Sequence, residues 1–320
     1  LMAAKKKKSE MQENYLEVTS EMKKAIIGKE DIVNDILISI FVEGHALLEG
    51  VPGIAKTRMA NAIAQTLDCD FKRIQFTPDL LPADIIGTMV YDSKLNKFVL
   101  KKGPIFTNII LADEINRAPP KTQSALLEAM QERQVTIDGV TYPLPYPFVV
   151  LATQNPIEME GTYPLPEAQV DRFLFKLVLG YPTPEEEKKI LELKMTEEKK
   201  LKGVLTPEEI KAVNKEIGNV HVDKSILDYI TEIVFATRSR QDVQLGASPR
   251  ASITFMKAAK ARALIAKRDY VIPDDVKALA YPVLRHRIIL DPEAELTGLT
   301  IDDVISDVLG SVKVPKTIKK

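Results

Sequence analysis

The chain has 320 residues, 45% of them hydrophobic, with 44 lysines and arginines against 45 aspartates and glutamates and a formal net charge of -1. That is apolar content enough for two packed domains, and too even a charge for a general nucleic-acid binder. A lone cysteine, Cys69, excludes an internal disulfide, and no run approaches the roughly 18 apolar residues of a membrane span.

Lys5 to Lys8 precede no apolar segment, so they read as a solvated end rather than a secretory signal, and the cytoplasm is the expected location. Residues 10–42 read as two helices, the second carrying Ile32, Val33, Ile36, Leu37 and Ile40 at helical spacing. Gly28, between them, suits a helix end. Ala46, Leu47 and Leu48 form a short strand feeding Gly50-Val51-Pro52-Gly53-Ile54-Ala55-Lys56-Thr57, and Arg58 opens a helical run through Met59, Ala60, Ile63, Ala64 and Leu67. Strand, glycine-bearing loop and helix make a phosphate cradle: N–H groups at the helix start close on a polyanion, Lys56 reaches the terminal phosphates and Thr57 offers a hydroxyl to Mg²⁺. Taken alone, a Gly-Pro turn before an ordinary helix also accounts for this loop. Ala55 stands where the general pattern has glycine, a change expected to be harmless if that residue keeps right-handed dihedrals.

Phe71 to Phe76 alternates as a strand, Thr77 to Pro82 is turn-rich, and residues 90–100 read as a hairpin. The run from Thr107 to Ala112 ends in Asp113 and Glu114, the pattern of a buried parallel strand with two acids at its carboxyl end, where open α/β sheets bind ligands. Asp113 is suited to hold Mg²⁺ and Glu114 to polarise an attacking water. A helix over 121–133, a hairpin over 134–144 around Asp138-Gly139 and a buried strand over 148–153 follow, and Asn155 just beyond is able to hydrogen-bond the water or a γ-phosphate. Arg172 precedes a fifth strand at Leu174 to Leu179. Strands stop at Gly180 to Pro184, so the chain divides into a core over 1–182 and a helical domain over 183–320, with about five or six helices and no sheet. Thr206-Pro207-Glu208-Glu209 marks one helix start, and Gly246 to Arg250 another, from which Arg250 projects.

From about Ile26 to Arg287 these stretches together resemble the MoxR group of AAA+ ATPases. The likeness rests on Gly50 to Thr57, Ile74 to Pro82, Leu111 to Ala118, Ala152 to Pro156, Glu167 to Phe173 and Gly246 to Ala251, and alanine is common in that family at the place of Ala55. The resemblance implies an α/β P-loop core with a parallel five-stranded sheet in the order 5-1-4-3-2, an α-helical lid, and a nucleotide between them. Both hairpins resemble the family's insertions, which face a central pore in related machines. The resemblance places Gly28 near adenine, Gly50 to Arg58 on ATP or ADP, Thr57 and Asp113 on Mg²⁺, and Glu114 on the attacking water. It makes Asn155 the first sensor and Arg250, from the lid, the second. Arg172 is similar to the arginine finger that acts on a neighbouring subunit's nucleotide, which implies a homo-oligomeric ring, a hexamer by that analogy. The implied activity is ATP-driven remodelling, maturation or metal-cofactor insertion of a client complex, beside a partner with a von Willebrand factor A domain. A chelatase-like motor subunit and a nucleotide-dependent assembly switch with little turnover remain alternatives. A DNA-remodelling role finds no separate binding module and no net positive charge.

Overall fold

A computed structural model of the protein describes residues 2–51, 53–155, 161–195 and 200–316. The chain begins with helices α1 (Met2–Lys23) and α2 (Glu30–Phe41), then β1 (Ala46–Glu49), α3 (Lys56–Thr66), β2 (Phe71–Gln75) and α4 (Pro82–Ile86). A hairpin of β3 (Gly87–Asp92) and β4 (Lys97–Lys102) leads to β5 (Ile109–Asp113) and α5 (Pro120–Glu132). A second hairpin of β6 (Gln134–Ile137) and β7 (Val140–Pro143) leads to β8 (Val149–Gln154), α6 (Glu167–Val170) and β9 (Phe175–Val178). No helix among the described residues is long and apolar enough to cross a membrane.

One parallel sheet runs in the order β9-β1-β8-β5-β2, the 5-1-4-3-2 arrangement expected for its five strands. Alternation along each strand sorts its residues to two faces. Leu47, Ile110, Ala112, Val150 and Ala152 pack with Leu126 and Met130 of α5, while Ala46, Leu48, Ile109, Leu111 and Leu151 pack with α2 and α3. Burial on both faces is why these strands read as unbroken apolar runs. The first hairpin pairs from Gly87 to Lys102, longer than the 90–100 expected, and leaves Tyr91 and Phe98 exposed and edge-on to each other. The second pairs over 134–143, around the expected turn.

Beyond β9 come α7 (Pro184–Lys194), α8 (Pro207–Gly218), α9 (Lys224–Arg238), β10 (Val243–Leu245), α10 (Pro249–Ile265), α11 (Pro273–Ala278) and α12 (Ala280–Leu284). The chain continues through β11 (Ile289–Leu290), α13 (Pro292–Leu296) and α14 (Ile301–Ser311). This lid is helical, as expected, and carries in addition an antiparallel ribbon of β10 and β11. Its short helices α11 to α13 and the two ribbon strands are too brief to show a period, so the lid has more elements than its periodicity predicts. The cap at Thr206 is as expected: its hydroxyl accepts from the Glu209 N–H at 3.3 Å while Glu209 accepts from the Thr206 N–H at 2.8 Å.

The bulk of the lid does not lie across the loop at Gly50 to Thr57. Ile210 and Val213 of α8 and Phe255 and Ala258 of α10 join Val18 and Met22 of α1 and Ile36 and Leu37 of α2 in one continuous apolar core. Asn214 ties the same junction by donating to the Phe41 carbonyl at 2.9 Å. Of the lid helices, α7 is the one that reaches the loop's cavity. The expected position of a nucleotide between core and lid thus involves α7, while α8 and α10 pack on the apolar faces of α1 and α2.

Candidate active site

After β1 the chain turns through Gly50 to Ala55 and enters α3. Gly50 has no room for a side chain, since a Cβ there would lie 2.5 Å from Ile54 Cδ1 and 2.7 Å from the Leu179 carbonyl oxygen. Gly53 takes a φ of 86°. Ala55 is left-handed too, with φ 64° and ψ 25° at the start of α3. This corrects the expectation of right-handed dihedrals: closing so short a loop requires positive φ at both positions, and alanine bears a strain that glycine would avoid. Pro52 lies outside the described residues. Lys56 folds back over the loop, donating from Nζ to the Gly50 carbonyl at 2.7 Å. Its burial lowers its pKa, and the charges of Asp113 and Glu114 oppose that shift.

Two adjoining cavities open on this loop. The first, about 460 Å³, is lined mostly by apolar side chains, Ile26, Ile27, Met59, Tyr181 and Ile190 among them. The second, about 510 Å³, is lined mostly by charged and polar side chains and brings together Lys56, Thr57, Asp113, Glu114 and Asn155. Gly53, Ala55, Arg58 and Ile190 line both, so the loop is their common wall. An apolar end joined to a polar end is the shape a nucleotide requires, its base in one and its phosphates in the other. Ile54 lines the apolar end and Val51 is half-buried in the loop. Gly28 does not line the cleft itself. It adopts a φ of 68° and lies so close to Glu186 of α7 that any Cβ would collide with that side chain, and its neighbours Ile27 and Lys29 form the wall instead.

Parallel pairing of β5 with β8 sets the acids beside Asn155. Thr153 fixes them from the adjacent strand: its hydroxyl donates to Asp113 Oδ1 at 2.5 Å and accepts from the Glu114 N–H at 2.9 Å. Asp113 also accepts from Arg73 Nε and Nη2 at 3.0 and 2.6 Å, and Glu114 accepts from Gln75 Nε2 at 2.7 Å and Arg117 Nη1 at 2.9 Å. Thr57 and Asp113 present a hydroxyl and a carboxylate, hard oxygen donors that fit Mg²⁺ and leave most of its octahedron to phosphate and water. Arg73, Gln75 and Arg117 were not singled out from the sequence. Arg73 and Gln75 stand two apart on β2 and so face one side, but only the strand order shows that this side meets the acids.

Arg172 and Arg250 lie elsewhere. They line a third cavity of about 270 Å³ with Gly44, His45, Lys257 and Arg287, at the amino ends of the strands. The full length of β1, about 13 Å at the rise of a parallel strand, separates that cavity from the loop. Arg172 donates from Nη1 to the Leu127 carbonyl at 2.9 Å, and Arg250 Nη1 stands 3.6 Å from Asp171 Oδ2. Arg250, expected as the second sensor, thus stands away from its own chain's loop: α10 starts beside Arg172, at the opposite end of the sheet. Asp171, Ser248 and Arg287, which hold this cavity together, were also missed, since their partners are far apart in the chain.

The sheet order, the loop after β1 and the helical lid define an AAA+ protein. Residues 45–175 match the family described as ATPase family associated with various cellular activities, and residues 235–308 match the AAA lid domain. A crystal structure from Cytophaga hutchinsonii superposes with a TM-score of 0.93 at 46% identity, covering 99% of both chains. YeaC of Bacillus subtilis is 52% identical over 91% of this chain and 92% of its own, and Chaperone MoxR1 of Mycobacterium tuberculosis is 47% identical over 92% and 81%. The chain belongs to the MoxR family of AAA+ ATPases.

Proposed function

We propose that the cleft binds ATP with Mg²⁺ and hydrolyses it, and that turnover drives the remodelling or maturation of a client complex, metal-cofactor insertion included. The observation that carries this reading is the meeting of Lys56, Thr57, Asp113, Glu114 and Asn155 in one cavity on a glycine-bearing loop. The base lies at the apolar end, against Ile27 and Met59. Lys56 leaves the Gly50 carbonyl for the terminal phosphates, which restore the charge partner its burial calls for. Thr57 and Asp113 would hold Mg²⁺, which would supply charge neutralisation at the phosphates. Glu114 orients and polarises water, and Asn155 hydrogen-bonds that water or the γ-phosphate. Arg73 pairs with Asp113, and Gln75 and Arg117 bond Glu114, so these three side chains orient the two carboxylates.

Arg172 and Arg250 are too far from their own cleft to touch its phosphates, so both serve a neighbouring subunit in a ring, a hexamer in this reading. The setting proposed is cytoplasmic, with a von Willebrand factor A domain protein as partner. Chaperone MoxR1 carries the word chaperone in its name, which supports a remodelling role. The test is Glu114→Gln. It is expected to keep ATP affinity while lowering kcat by at least about 100-fold, the scale of a lost general base; turnover equal to the parent protein removes Glu114 from the chemistry.

A further inference from the structure

Arg172 belongs to the core and Arg250 to the lid, yet one carboxylate connects them. Asp171 Oδ2 accepts from the Ser248 hydroxyl at 2.9 Å and stands 3.6 Å from Arg250 Nη1, while Oδ1 accepts from Arg287 Nε at 2.7 Å. Arg287 is fixed in turn. Its side chain is 1% exposed and donates to the carbonyls of Val283 at 2.5 Å, Phe173 at 2.6 Å, and Leu174 and Asp171 at 3.2 Å each. His286 adds a further bond from Nε2 to the Phe173 carbonyl at 3.0 Å. The turn after α12 thereby grips the turn from Asp171 to Leu174, and Asp171 grips the start of α10.

Ser248 is the N-cap of α10, accepting from the Arg250 N–H at 3.2 Å with its hydroxyl. The Ser248 oxygen therefore bonds both the first turn of α10 and Asp171, tying the helix start that carries Arg250 to the residue before Arg172. Arg172, Arg250 and Arg287 also crowd three positive charges around this cavity, and the Asp171 carboxylate is the anion that pairs with two of them. Without it the guanidinium groups repel and their spacing is no longer set.

We propose that Asp171 is a positioning residue which, clamped by Arg287 and bonded to Ser248, holds the core's Arg172 and the lid's Arg250 as one rigid pair for the nucleotide of a neighbouring subunit. This inference rests on the reading that both arginines act in trans. It predicts a defect with an unusual address. Loosening the pair harms hydrolysis in the next subunit and leaves the altered chain's own cleft intact, whereas a bond that merely holds lid to core has no such direction.

The experiment uses full-length chains mixed in pairs. Ser248→Ala and Asp171→Asn are each expected to lower kcat roughly 10- to 100-fold, the scale of a misplaced catalytic group, with unchanged affinity for a fluorescent ADP analogue. Ser248→Thr, which keeps the hydroxyl, is expected to retain activity. Mixing either defective chain with Lys56→Ala, whose own cleft is disabled but whose arginines are intact, is expected to restore turnover. Ser248→Ala leaves the buried Arg287–Asp171 pair in place, so it remains decisive if Asp171→Asn does not fold. Parent-level kcat in folded Ser248→Ala overturns the proposal, and so does a matching loss of ADP affinity. Arg172→Ala mixed with Lys56→Ala is the control. If that mixture recovers activity and the Ser248→Ala mixture does not, the positioning role fails alone; if neither recovers, the shared site fails and takes this inference with it.

Discussion

Ala55 sits in a backbone region that costs an L-residue about 1 kcal/mol or more. Ala55→Gly relieves that strain but loosens the unfolded chain, so it is expected to be neutral or to stabilise by up to about 1 kcal/mol, while β-branched Ala55→Val costs at least about 1 kcal/mol. Urea unfolding of the two variants checks both signs, and a destabilising Ala55→Gly contradicts the left-handed geometry. Residue identity and spacing alone singled out Lys56, Thr57, Asp113 and Glu114, because a cradle at a helix start and acids at a strand end are local patterns. Arg73, Gln75 and Arg117 gave no such signal, since a polar residue near a strand has many ordinary reasons to be there. Their part in holding the acids comes from a strand pairing that no local pattern announces.

Three elements meet at His45, just before β1. Its Nε2 donates to the Met130 carbonyl of α5 at 3.0 Å, and its Nδ1 accepts from the Val150 N–H of β8 at 3.0 Å, so the neutral ring satisfies both neighbours. Burial pushes its pKa down to about 4, against 6.5 for the free ring. Below pH 6.5 the unfolded chain takes up a proton that the folded chain refuses until about pH 4, so stability falls with pH across that window. The contribution between pH 7 and pH 5 is about 2 kcal/mol. His45→Gln, compared with the parent protein by denaturant unfolding at the two pH values, is expected to reduce the difference by about that amount, and an unaltered difference rules out a neutral buried ring. Among the elements, the buried apolar strands β1, β5 and β8, the alternating β2 and the capped helix at Thr206 were legible because each declares itself within a few residues. The ribbon of β10 and β11 and the short helices α11 to α13 did not, since strands of two or three residues and helices of five or six show no period of their own.

At the scale of the whole molecule, the cleft and the arginine cavity occupy opposite ends of one sheet, and no rearrangement of side chains brings them together. A chain built this way is expected to hydrolyse ATP slowly when alone. Specific activity should rise with protein concentration as light scattering in a slowly hydrolysed ATP analogue registers a multimer, and brisk turnover by a stable monomer removes Arg172 and Arg250 from the chemistry. The sequence by itself determined the sheet order through the family likeness, the phosphate loop and the acids, because each depends on residues that are neighbours along the chain or on one strand. Only the tertiary structure decided that Arg250 joins Arg172 at the amino ends of the strands. The lid's apolar faces pack on α1 and α2, and that packing carries α10 to Asp171, a placement fixed by burial and by hydrogen bonds between residues remote in sequence.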